Sequence, residues 1–134
     1  MKRKKINELL GTVLGILTTA SFLRAAQGPS SVEFFETRIR PLLAEKCFAC
    51  HTQSRLGGLQ VDSRETLLKG GNSGPAIVPG NPEQSLLIQA VLRTHERFKM
   101  PPQEKLQERE IEALSDWIRS GAAWPQSAPT RADA

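Results

Sequence analysis

Two cysteines three residues apart, followed at once by a histidine, stand in the run Cys47-Phe48-Ala49-Cys50-His51; the 134-residue chain has no other cysteine and one other histidine, His95. On a helical turn, positions three and four apart share a face, so both sulfurs and the imidazole are presented together. This is the attachment sequence of a c-type haem, in which Cys47 and Cys50 form thioethers to two porphyrin vinyl groups and His51 becomes an axial ligand of the iron. With two cysteines and two histidines to place, chance gives the pattern roughly four times in ten thousand. The rival uses of two cysteines fit less well. A thiol-disulfide redox pair sits at a strand-to-helix junction, and no strand pattern precedes Cys47. A structural zinc site needs four ligands, and His95 added to the two cysteines leaves the set at three unless a carboxylate joins. A disulfide between cysteines three apart closes almost no loop and leaves His51 unexplained.

The rest of the chain reads as one small helical domain. Hydrophobic residues make up 39%, aromatics only 5%, with five Phe, two Trp and no Tyr. No long alternating run suggests a sheet, so an all-α fold is expected. A chain this short buries only about two-thirds of its unfolded surface, and something besides side chains is expected to help fill a core so poor in aromatics.

The net charge of +4 sits in the first 28 residues, where Lys2, Arg3, Lys4, Lys5 and Arg24 face only Glu8; the remainder has 13 basic and 13 acidic residues. A neutral body without a basic stripe is a poor nucleic-acid binder. The leader has a basic start, an apolar stretch from Leu9 to Leu23, and small residues at Ala25, Ala26 and Gly28. That is the pattern of a signal peptide, and 15 apolar residues fall short of the roughly 20 that cross a bilayer. The expected organisation is a signal peptide over 1–28, a linker over 29–33, a domain over 34–125 and a disordered tail over 126–134. The product is expected in the periplasm, touching membrane only through an uncleaved leader.

Within the domain, Phe34, Phe35, Ile39, Leu42 and Leu43 recur at helical spacing, and Pro41 should kink or restart that helix before it runs into the cysteines. Ser63 and Gly70 bracket a short helix over Arg64 to Lys69. Residues 70–82, with six glycines and prolines before Asn81, have the composition of a surface loop. Asn81 and Pro82 open a further helix, with Gln84 completing a capping box and Leu86, Leu87, Ala90 and Val91 as its buried face. A last helix from about Gln107 to Ser120 buries Ile111, Leu114 and Ile118, with Trp117 beside them, and stops at Gly121.

The face of the iron opposite His51 has two candidate ligands. Met100 stands in Phe98-Lys99-Met100-Pro101-Pro102, where the prolines stiffen the loop and hold a thioether at low entropy cost. His95 is the alternative, but it sits among Arg93, Glu96 and Arg97 in a polar run that reads as a solvated helix end.

The sequence resembles the planctomycete-type cytochrome c domain, a branch of the small class I cytochromes c. The resemblance rests on Ile39-Arg40-Pro41-Leu42-Leu43 leading into Cys47 to His51, on Gly57-Gly58-Leu59-Gln60-Val61-Asp62-Ser63-Arg64, on the run from Gly70 to Gly80, on Met100-Pro101-Pro102, and on Trp117-Ile118 with Gly121. It implies a small helical fold wrapped around one covalent haem c, with Cys47, Cys50 and His51 in the attachment roles and Met100 as the sixth ligand. It also implies an exported single-electron carrier, not an enzyme, that meets redox partner proteins. Such domains often introduce much larger exported proteins, whereas this chain stops soon after Trp124-Pro125, which leaves a free-standing carrier and a truncated member both open. The reading from another class is a peroxidase-like or gas-sensing haem domain with a labile sixth ligand.

Secondary candidates have two readings each. Pro75 resembles the turn proline whose carbonyl orients the ligating imidazole in related cytochromes, and is equally a plain turn residue. Arg64, Trp117 and Trp124 bond haem propionates or, as the better expectation, pack in the core. Lys99 and Lys105 form a docking surface or merely solubilise.

Overall fold

The structure is a computed structural model and describes residues 31–126; the leader and residues 127–134 of the expected tail lie outside the described residues. It is helical, with no strand among the described residues beyond one isolated bridge between Gly71 and Gly74. The chain opens with α1 (Ser31–Phe34), which takes in residues 31–33 of the segment read as a linker. A π-helical turn (Phe35–Ile39) then leads into α2 (Arg40–Lys46). The cause of the π turn is Pro41. Proline has no N–H to give and its ring crowds the carbonyl four residues back, so the backbone widens just ahead of it. Arg40 N–H accordingly reaches five residues back to the Phe35 carbonyl, and Pro41 occupies the first turn of α2, where its missing donor costs nothing.

Cys47, with φ −126°, breaks the helix for one residue before α3 (Phe48–His51). A left-handed corner at Arg55 and Gly57 carries the chain through a 3₁₀ turn to α4 (Arg64–Lys69), where Ser63 Oγ accepts the Thr66 N–H as the cap expected there. Gly70 ends α4 at φ +72°, and a Cβ there would fall 1.8 Å from the Gly74 carbonyl oxygen. Only glycine fits that turn.

The stretch over 70–82 departs from the expected surface loop. Ala76 and Ile77 are buried in the core. Burial is tolerated because the backbone groups are matched: Ala76 N–H donates to Leu67 O at 2.9 Å, Ala76 O accepts from Leu87 N–H at 2.9 Å, and Gly80 N–H reaches Ile118 O at 2.8 Å.

The following helix also starts later than the sequence suggests. Pro82–Gln84 form a 3₁₀ turn without a side-chain cap from Asn81, and α5 runs only over Leu86–Val91. The break is Ser85, fully buried, whose Oγ accepts the Val78 N–H at 2.9 Å and donates to Asn81 O at 2.9 Å. It staples the buried loop to the start of α5. Ser85→Ala is expected to cost about 1–3 kcal/mol, the cost of stranding these backbone groups, read from the midpoint of chemical denaturation.

Helix α6 (Glu108–Arg119) matches its expected limits within a residue. Gln107 N–H donates to Glu110 Oε2 at 2.7 Å at its start. Its inner stripe of Ile111, Leu114, Trp117 and Ile118 joins Phe35, Ile39, Leu42, Leu43, Leu67 and Ile88 in one core. Trp117 donates its Nε1–H to Ala123 O at 2.7 Å, and Trp124 lies 4.3 Å, ring centroid to centroid, from Phe35. Arg64 donates to Ala122 O and Gly121 O, tying the start of α4 to the end of α6. These three residues therefore serve the core and its seams.

Candidate functional site

The core stops short of filling the molecule on one side. There a cavity of about 460 Å³ opens between the Cys47–His51 segment, the glycine-rich turns, α5 and the Met100 loop. That volume is within the range of small-molecule sites, roughly 300–1,000 Å³. Its lining is mostly apolar, and the face of α5 read as core, Leu86, Leu87, Ala90 and Val91, borders it.

The glycines thin one wall. Asn72 N–H donates to Gly57 O at 2.9 Å, bringing the two turns into contact, and a Cβ on Gly71 would lie 2.5 Å from that same oxygen. Backbone can approach backbone this closely only where a side chain is missing.

Cys47, His51 and Met100 all border the cavity. His51 N–H donates to Cys47 O at 3.0 Å, and His51 O accepts from Val61 N–H at 2.8 Å, so the segment carrying the imidazole is fixed at both ends. Its Nδ1 is buried without a hydrogen-bond partner. The Pro75 carbonyl does not supply one. Pro75 is exposed, and Ala76 N–H is turned to Leu67 O; in a planar trans peptide the Pro75 carbonyl then points the opposite way, off α4.

Cys50 is exposed and Cys47 half-buried, both as free thiols. Burial, aided by the neighbouring Cys50, pushes the Cys47 thiol up to about 11. A redox-active dithiol needs the reverse, a thiol shifted toward the thiolate. Among the described residues no three His, Cys, Asp or Glu side chains gather to hold a bare metal ion.

Met100 is half-buried, and its N–H donates to Ala90 O at 3.0 Å, at the end of α5. His95 is not at the cavity. It stacks on Phe98 at 4.4 Å, and its Nδ1 accepts the N–H groups of Arg97 and Phe98, both at 3.2 Å. The imidazole thus holds a turn together beyond α5.

Nothing in the order of residues points to a pocket near Arg97, yet Arg97 and Phe98 border the cavity. Their neighbours are polar, and the fold back from α5 brings half-buried Phe98 and exposed Arg97 to the cavity's edge. Lys99 is a fastener rather than a free docking charge, since its Nζ donates to Arg93 O at 2.7 Å and to His95 O. A hollow of about 770 Å³ along the outside of α6, bordered by Lys105, contains none of Cys47, His51 or Met100 and is a separate surface feature. Among the described residues no helix is long and apolar enough to cross a membrane.

Residues 47–104 match the family described as Planctomycete cytochrome C, so the resemblance carried by the attachment sequence, the glycine-rich turns and Met100-Pro101-Pro102 is supported over that span. No curated protein and no solved structure matches the chain. A cytochrome c domain brings haem c with it, and Cys47 and Cys50 suit covalent attachment. The cavity suits the group as well: it is apolar, has a wall thinned by glycines, and is bordered by a histidine whose Nδ1 is buried, which leaves Nε2 as the nitrogen available to a ligand.

Proposed function

We propose, taking the cytochrome c match over residues 47–104 as the premise, that this chain is an exported carrier of single electrons with one covalent haem c held by His51 and Met100. One observation carries the reading: two side chains 49 positions apart in the sequence, one an imidazole and the other a thioether, border the same apolar cavity as Cys47. The bound haem supplies a one-electron Fe(II)/Fe(III) couple.

The chain's residues bind, shield and tune. Cys47 and Cys50 would hold the group through two thioethers, each formed by addition of an S–H across a vinyl group with sulfur on one carbon and hydrogen on the other. Cys47 does so from the cavity wall and Cys50 from an exposed position three residues on. His51 and Met100 would hold the iron through Nε2 and Sδ, and a soft thioether would favour the reduced iron relative to a second imidazole. Leu86, Leu87, Ala90 and Val91 keep water from the group, which favours the less charged state further. Arg97 is a cation at the edge of this apolar lining and offsets the carboxylates that a haem carries.

The peroxidase-like alternative requires an easily displaced sixth ligand. Against it stands the way the Met100 loop is tied down, by Met100 N–H to Ala90 O and by the Lys46 Nζ–Glu104 ion pair at 2.7 Å. Export and meeting with redox partner proteins belong to the same proposal, and the leader over 1–28 is its basis.

The test is the optical spectrum of the mature holoprotein, oxidised and reduced, beside Met100→Ala. The oxidised protein should have a weak long-wavelength sulfur-to-iron band that the variant lacks, and the variant's potential should fall by about 0.1 V or more, a fraction of the span set by axial ligands. Covalent haem without that band in the unaltered protein would overturn Met100 ligation. Rapid carbon monoxide binding would then favour the open-site reading.

A further inference from the structure

We propose that Arg93 is a positioning residue that holds Met100 at the cavity, through a clamp of its guanidinium on the backbone beyond the methionine. The inference rests on the His51/Met100 reading above.

The loop that follows α5 has little means of holding itself. Pro101 and Pro102 donate no backbone hydrogen bond, and residues 98–107 contain no helix or strand. Its fastenings come from outside, and most of them from the turn that ends α5. Ala90 O takes the Met100 N–H at 3.0 Å. Arg93 O takes the Lys99 Nζ at 2.7 Å. One Arg93 nitrogen, Nη2, donates both to Pro101 O at 2.7 Å and to Glu104 O at 2.9 Å.

Met100 is therefore gripped on both sides, at Lys99 and at Pro101, by a single residue seven positions before it. A guanidinium suits the clamp. Two carbonyls three residues apart converge on one planar nitrogen with two hydrogens, and the bonds are charge-assisted. Arg93 also accepts unfavourable conditions to make them. It has φ +63°, a conformation that side chains other than glycine rarely adopt, and its Nε is buried with no partner. Arg55 also has a positive φ but is exposed, so the buried, unpartnered Nε is what sets Arg93 apart. The second side of the loop is closed by Lys46, the residue just before Cys47, whose Nζ pairs with Glu104 Oε1 at 2.7 Å. The segments that carry the two ends of the ligand set are thus linked through Glu104, by its carboxylate to Lys46 and by its carbonyl to Arg93.

The test compares matured holoprotein with its Arg93→Gln and Arg93→Lys variants, following the sulfur-to-iron band of the oxidised state and its replacement by added imidazole. Loss of two charge-assisted bonds should tighten apparent imidazole binding about tenfold or more in Arg93→Gln, with an intermediate effect in Arg93→Lys. Covalent haem content and the His51 side of the site should stay unchanged. If band intensity and imidazole affinity stay within about twofold of the unaltered protein while only the denaturation midpoint falls, the clamp is structural and the proposal is overturned. Should Arg93→Gln fail to mature, Arg93→Lys carries the test alone, and an unaltered imidazole affinity there counts against the proposal. A band already absent from the unaltered protein overturns the Met100 reading itself, and with it the role of Arg93.

Discussion

A chain carrying both Cys47→Ser and Cys50→Ser will retain no haem on the polypeptide after denaturation, whereas the unaltered chain matured in an exporting host will keep it. Serine keeps nearly the size of each side chain and differs mainly in its more polar hydroxyl, so the fold around α3 is kept. What it lacks is a nucleophilic sulfur for the thioether. The check is a haem-stained denaturing gel together with the intact mass of the mature protein.

The single variants should differ from the double. Each keeps one sulfur, and Cys47, which borders the cavity, is better placed to retain the group alone than Cys50, which is exposed. Cys50→Ser should therefore yield more covalently bound haem than Cys47→Ser. Covalent colour in the double variant would remove the cysteines from the attachment role, and an unaltered protein with two titratable thiols and no colour would leave only thiol chemistry. The raised Cys47 thiol makes that last outcome unattractive, since a thiol pushed up to about 11 is almost wholly protonated at neutral pH.

Trp117→Ala will be the most damaging change in the core. The side chain is 1% exposed, its ring lies 5.8 Å from Phe35 and 6.3 Å from Trp124, and its Nε1–H is bonded to Ala123 O. Truncation leaves a large void beneath α6 and strands a carbonyl in the chain that returns over it. A loss of about 3–5 kcal/mol is expected, against a total of roughly 5–15 kcal/mol for a domain. The measurement is chemical denaturation of the holoprotein followed in the far ultraviolet. Trp117→Phe should recover more than half of the loss, because it refills most of the volume and gives up only the hydrogen bond. A loss below about 1 kcal/mol would show that Trp117 does not anchor the core.

Local rules explain why some elements were legible and others were not. Ser63, Gly70, Gln107, Glu110 and Gly121 act within one turn of where they stand, so helices α4 and α6 have limits that can be read from the sequence alone. Pro41 likewise disturbs its own turn. Asn81-Pro82 carried an equally clear signal for a helix start and yielded only a 3₁₀ turn. The decision was made by Ser85, whose hydroxyl bonds to Val78, seven residues back, so the ladder breaks where a buried loop needs a partner. Ala76 and Ile77 went inward for the same reason: carbonyls and N–H groups of Leu67, Leu87 and Ile118, remote in sequence, satisfied a backbone whose composition suggested surface.

The candidate site divides in the same way. Cys47, Cys50 and His51 form one contiguous motif that is legible in the order of residues, but the fold breaks the helix at Cys47 and leaves Cys50 exposed, so of the three Cys47 and His51 border the cavity. Met100 could be nominated from its proline-flanked loop and the scarcity of methionine, but its arrival at the same cavity depends on Ala90, Arg93 and Lys46, and only the tertiary structure brings these together. His95, equally able to ligate as a residue type, is withdrawn by its stacking on Phe98. Arg97 was read with its polar neighbours as solvated and is exposed, yet the return of the chain from α5 sets it and Phe98 at the edge of the cavity. Side-chain chemistry and short-range spacing are written in the order of residues. Which distant carbonyl a loop will find, and therefore which face of that loop looks inward, is decided by closure of the whole chain around a shared core.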